Sequence, residues 1–278
     1  MPHEFDTGYA QPPFDALCRD YPGADVYAPD DFRVEWGPIF HRGRLDGSAR
    51  VLVLGQDPGA HECIARRVMV GEAGQRVQGY LARLGVTTSY VMLNAFLYPV
   101  YGQSGGNRNI GDAAIAAYRH RWLEAILVDS QIEAVIAFGR LADLAWQRWK
   151  ATPDGMACDV AYQALRHPTY PEGSSGGNRQ KYADAMLAML TQWNAALHEL
   201  APAIQHTDDE RDLVLYGDSL TPEDRSPIPE RDLPAGIPAW MRSVDSWAVR
   251  RGETTETKRA TVVITVPKRH RPWTRIED

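Results

Sequence analysis

Long apolar runs are missing from this sequence. The most apolar stretches, "VLVLG" at 51–55 and "AVIAFG" at 134–139, fall far short of the roughly 20 residues a membrane helix requires. The start, "MPHEFD", is acidic where a secretory leader is basic and then apolar. A soluble, cytoplasmic protein without membrane contact is therefore expected. Cysteine is scarce: Cys18, Cys63 and Cys158 lie far apart with no C-x-x-C spacing, which argues against a disulfide framework, a four-thiolate metal site or an iron–sulfur cluster. Several catalytic motifs are absent as well. There is no G-x-S-x-G elbow, no G-x-x-x-x-G-K-[ST] phosphate loop and no H-E-x-x-H pair, and "GQDPG" has too few glycines for a dinucleotide fingerprint.

What is present is enough for one substantial core with an appendage: 278 residues, 44% of them hydrophobic. The net charge of -6 speaks against coating nucleic acid through bulk charge, but its distribution is uneven. Acids dominate from Thr207 to Asp232, where prolines begin to punctuate the chain at 222, 227, 229, 234 and 238; bases dominate from Arg250 onward. This divides the chain into a main domain at 1–201, an acidic, proline-rich linker at 202–238 and a basic extension at 239–278. In the extension "ATVVITV" reads as a strand of a β-hairpin with Gly252 near its turn, packed on the main domain; the alternative is a separate DNA-gripping arm. A monomer is expected.

Within the main domain short apolar runs alternate with helical patterns. Strands are expected at 50–55, 90–96, 132–139 and 162–168, the first three continuously apolar as in a sheet buried on both faces. Helices are expected at 74–85, 112–129, 140–150 and 179–200, the last with Tyr182, Met186, Met189, Leu190, Trp193 and Leu197 on one face. The series implies an α/β fold, a three-layer αβα sandwich around a mostly parallel four-stranded sheet with right-handed crossovers.

Ligands of such sheets bind beyond the carboxyl ends of the strands. Gln56, Asp57 and His61 follow the first strand, Asn94 ends the second, and His167 follows the fourth. A carboxylate, a carboxamide and an imidazole thus converge from sequence-distant loops. Singly each has a bland reading, as turn residue, cap or packing group; jointly they point to a catalytic site.

These segments resemble the uracil-DNA glycosylase superfamily. "GQDPG" is similar to its first motif, "MLNAF" to the strand carrying its base-reading Asn, and "HPTYPEG" to its second motif. The resemblance runs from about Arg50 to about Lys181. It implies hydrolysis of the N-glycosidic bond of uracil in single- or double-stranded DNA, by base flipping, leaving abasic DNA, with no metal or cofactor. Asp57 and His167 would be the catalytic pair, the first orienting water and stabilising positive charge on the sugar, the second donating to the departing base. Asn94 would read uracil, with Gln56, Gly59 and Met69 beside it.

The match is incomplete. The best-known branch has Tyr, which excludes thymine, where this chain has Gly59. Branches with Gly there carry their catalytic acid where this chain has Gln56, and often have a four-cysteine cluster. Their stacking aromatic ring aligns with Met69, so Phe96 or Tyr98 is a candidate substitute. Thr169 and Tyr170 take the place of the second motif's DNA-contacting wedge, with Tyr170 the expected intercalator. The pentapeptide "SGGNR" occurs twice, at 104–108 and 175–179, each time read as a turn ahead of a helix. Helix capping explains both copies; phosphate cradles built from Ser104, Arg108, Ser175 and Arg179 are the functional alternative. A lesion- or abasic-DNA-binding module with weak or no turnover, and a free nucleoside hydrolase, remain the competing functions.

Overall fold

The computed structural model describes residues 8–271. In chain order its helices are α1 (Phe14–Arg19), α2 (Ala60–Ala65), α3 (Glu72–Arg83), α4 (Gly102–Asn109), α5 (Ala113–Leu127), α6 (Arg140–Lys150), α7 (Pro153–Ala157), α8 (Tyr170–Ser175), α9 (Arg179–Leu200) and α10 (Thr255–Ala260). The main sheet holds β1 (His41–Gly43), β2 (Val51–Gly55), β3 (Tyr90–Asn94), β4 (Ala134–Phe138) and β5 (Ala161–Leu165) in the order β1-β3-β2-β4-β5. All neighbours are parallel except β1, which runs antiparallel to β3. The expected mixed α/β sheet is therefore present, with five strands instead of four. The extra one, "HRG", has three residues, too few to show any periodicity.

Alternation along each strand divides the core in two. Val51, Val53, Met92 and Ile136 face Val77, Tyr80 and Leu81 of α3 and Met189, Leu190 and Trp193 of α9. Leu52, Leu54, Leu93 and Val135 face Trp122 and Leu123 of α5 and Leu141, Ala145 and Trp149 of α6. Side chains two apart on a strand share a face, so a strand buried on both sides must be apolar at every position. Pairing also fixes where the strands stop. Gly55 lies opposite Asn94, and Phe138 opposite Leu165, so the loops carrying the polar residues all leave from one edge.

Residues 202–238, expected as a linker, contain only short 3-10 turns, and several of their acids are anchors. Asp208 accepts from the backbone N–H groups of Thr87, Thr88 and Ser89. Asp224 pairs with Arg83. Asp232 is buried against Arg42 (3.0 Å), Arg44 and the Tyr90 hydroxyl. A carboxylate can leave water at these places because each is met by donors. Further on, β6 (Ala248–Arg250) and β7 (Val262–Ile264) form an antiparallel pair. Trp247, Ile228 and Leu233 bury themselves with Ala65 and Val70, so this region shares a small core with α2.

Candidate active site

The loops leaving the common edge enclose a cleft of about 680 Å³. Gln56, Asp57, Gly59 and Met69 line it from the segments between β2 and α3, and Asn94 from the end of β3; His167, Thr169 and Tyr170 line it from the segment after β5. Sequence reasoning therefore identified groups that the fold gathers. Asp57 is half-buried, and its Oδ2 accepts from the Val100 N–H at 3.1 Å. Loss of water raises its pKa to about 6, although the Val100 bond and the charge of Arg250 pull the other way. The group is then an anion at neutral pH, but a readily protonated one.

His167 is tuned in the opposite sense. Burial, assisted by the charge of Arg76, lowers its pKa to about 4, so the ring is neutral. The Thr169 N–H points at Nδ1 from 3.2 Å, with Thr169 Oγ1 at 3.0 Å. This bonding assigns the ring proton to Nε2, leaving that N–H as the donor. Arg76 fixes the segment itself: buried on α3, it donates to the Pro168 carbonyl and pairs with Glu172 (2.7 Å) and Glu72 (2.6 Å).

The first loop is held by a residue the sequence did not single out. Glu62, buried, accepts from Gly59 N (2.9 Å), Val70 N (2.8 Å) and Gly71 N (2.9 Å), tying the start of α2 to the segment that precedes α3. A Cβ at position 59 would lie 2.7 Å from Glu62 Oε2. Glycine therefore stands there because the carboxylate occupies the space a larger residue would need. Gly55 has a parallel role, since a side chain there would overlap both the Asn94 amide and the Met69 methyl. Its absence lets those two groups converge on the cleft.

Other expectations are corrected. Gln56 lines the cleft, but its Oε1 accepts from Leu141 N at 3.2 Å, so the amide also caps α6. Phe96 and Tyr98 are buried in the core beneath the sheet, Tyr98 donating to Pro22 O at 2.9 Å; neither lines the cleft. The aromatic ring that does so at a strand end is Phe138, whose signal was the "AFG" close of β4. The two "SGGNR" copies are not the same structure. The first lies inside α4, where Arg108 pairs with Asp31. The second begins in α8 with a buried Ser175, whose hydroxyl is 3.4 Å from Glu172 O, then turns through Gly176 and Gly177 at φ 54° and 82° to Asn178, the N-cap of α9. Helix propensity and neighbouring contacts decide the outcome differently for the same five residues. Ser104, Arg108, Ser175 and Arg179 all lie off the cleft lining. His61 is an anchor: its Nε2 accepts from Trp247 N and Ala248 N, both at 3.2 Å. Among the described residues no group of three or more His, Cys, Asp or Glu side chains gathers as a metal site.

An anion, a neutral imidazole donor and a carboxamide at the edge of a parallel sheet suit the cleavage of a bond to a heterocyclic leaving group, the chemistry of an N-glycosyl hydrolase. The family model described as "Uracil DNA glycosylase superfamily" matches residues 42–191, more than half of the chain, and the protein belongs to that superfamily. It is on this ground a DNA glycosylase, a DNA-repair hydrolase. No curated protein matches the chain. No helix among the described residues is long and apolar enough to cross a membrane.

Proposed function

We propose that the protein excises uracil from DNA, and that Asp57, Asn94 and His167 carry the reaction. The observation that supports this most directly is the opposed tuning of Asp57 and His167 in one cleft. Departure of the base leaves positive charge on the sugar and negative charge on the pyrimidine. The Asp57 carboxylate opposes the first and accepts a proton from the attacking water; the Nε2–H of His167 donates to the second. A neutral imidazole already carrying its proton needs no uptake step before it donates. Asn94 offers a donor and an acceptor side by side, complementary to uracil O4 and N3–H and mismatched to cytosine. The base reaches the cleft by leaving the helix stack, with Tyr170, 38% exposed at the rim, filling the gap. The Gly176–Arg179 turn, at the exposed start of α9, suits a backbone phosphate.

Incubation with a uracil-containing oligonucleotide, followed by alkali, should produce strand breaks at uracil. Retention of the DNA without breaks would favour a binding module, and release of uracil from free deoxyuridine would favour a nucleoside hydrolase. Asn94→Asp should reduce uracil excision by at least about tenfold, with any gain confined to cytosine. Unchanged rates on both bases would remove Asn94 from base reading.

A further inference from the structure

Arg250 ends β6, outside the segment that matches the family, yet its side chain lines the cleft with Asp57. Its position is well determined. Ala248, which opens β6, and Trp247 just before it are hydrogen-bonded through their N–H groups to His61 of α2, the helix that follows the Asp57 loop. Arg250 itself pairs with Val262 of β7, and Trp247 is buried beneath. Among the described residues the Arg250 side chain has no hydrogen bond or ion pair, and the ionisable groups its charge acts on are Asp57, Arg33 and Cys63. Arg33 is 2% exposed, lies 4.8 Å from the Tyr101 ring centre and donates to Lys258 O at 3.2 Å, while its Nε and Nη1 have no partner. The cleft also holds Glu62 and Glu72, but Glu62 is engaged by three backbone N–H groups and Glu72 by Arg76, which leaves the Arg250 guanidinium with an unfilled hydrogen-bonding fork at an open cleft. A phosphate would fill it.

We propose that Arg250 receives a backbone phosphate next to the extruded nucleotide, so that the C-terminal extension completes the DNA-binding cleft. The idea rests on the glycosylase reading above but does not depend on which base is cut. An arginine forms charge-assisted hydrogen bonds to phosphate, and each phosphate so neutralised contributes a slope of about -0.9 in log K against log salt. Proximity to Asp57 places this grip beside the sugar whose bond is broken.

The test uses full-length wild type, Arg250→Ala and Arg250→Lys, with duplexes carrying uracil or an abasic site and a single neutral methylphosphonate on the 5′ or the 3′ side of that position. Arg250→Ala should weaken both duplexes about tenfold, flatten the salt dependence by about one phosphate and raise KM more than it lowers kcat. At one of the two flanks the methylphosphonate should weaken the wild type and leave Arg250→Ala unaffected; Arg250→Lys should recover part of the binding. Additive losses at both flanks, or a fall in kcat alone, would overturn the phosphate assignment. An unchanged melting temperature of Arg250→Ala separates lost contact from lost fold, and if that variant unfolds, Arg250→Lys with the methylphosphonate pair still decides. Wild type that binds the abasic duplex as predicted but leaves uracil in place would defeat the uracil reading alone. Wild type that binds neither duplex would defeat both.

Discussion

Asp57→Asn is expected to lower uracil excision by at least about a hundredfold at neutral pH while making the protein more stable. The loss follows from removing the anion that faces the developing sugar cation. The gain follows from the pKa. A folded value of about 6 against an ordinary 3.8 means that the fold favours the protonated carboxyl. The resulting stability is fully present below the ordinary value and is lost as pH rises through about 6, so the ionised group is a burden at neutrality. A shift of about two units corresponds to about 3 kcal/mol, and water entering the open cleft screens this to roughly 1–2 kcal/mol. Asparagine removes the burden, and the melting temperature should rise by roughly 2–4 °C. The wild-type rate should also fall on the acid side through about pH 6, as Asp57 takes up its proton, with no second limb from His167 above about pH 4. Near-normal turnover of Asp57→Asn, or an acid limb that persists in it, would remove Asp57 from the chemistry.

Truncation after Pro202 is the second large effect: the remaining 1–202 fragment should lose its cooperative thermal transition. Arg42 is fully buried, and its carboxylate partner is Asp232. Removing one partner of a buried pair costs roughly 3–5 kcal/mol. Loss of Trp247 and its neighbours opens the apolar surface of Ala65 and Val70 at roughly 3–5 kcal/mol more, judged by large-to-small replacement of a buried aromatic. Together these approach the total stability of an ordinary domain, about 5–15 kcal/mol. Calorimetry of the fragment and of full-length Asp232→Ala checks this, the single substitution giving the ion-pair share. A fragment that melts as the whole protein does would show that the segment beyond 202 rests on the fold without supporting it.

The main sheet and its helices were legible because burial on both faces writes itself into continuous apolar runs, and α9 because Met186, Met189, Leu190, Trp193 and Leu197 repeat at helical spacing. Asp57, Asn94 and His167 were legible because a polar residue at the end of such a run has few places to go but the sheet edge. Glu62, Arg76, Asp232 and Arg250 were not. A charged side chain looks solvent-exposed in a sequence, and only its partners in the fold reveal it as an anchor: Glu62 by three backbone N–H groups three, eight and nine residues away, Arg76 by a carbonyl 92 residues away, Asp232 by Arg42 190 residues away. The repeated "SGGNR" misled for the same reason, since local composition suggests a turn and long-range packing makes one copy a helix.

The bonds from His61 to Trp247 and Ala248 span 186 and 187 positions of the chain. A ribosome delivers residues in order, at roughly 5–20 per second, so the Asp57 loop waits on the order of ten seconds or more for the segment that braces it. During that interval the nascent chain lacks the Asp232 and Trp247 anchors, and its cleft is unfinished. Base excision by a cleft that Arg250 completes is then expected to begin only after residue 250 has left the exit tunnel, and chains broken off earlier by stalled translation should leave the bases of the genome in place.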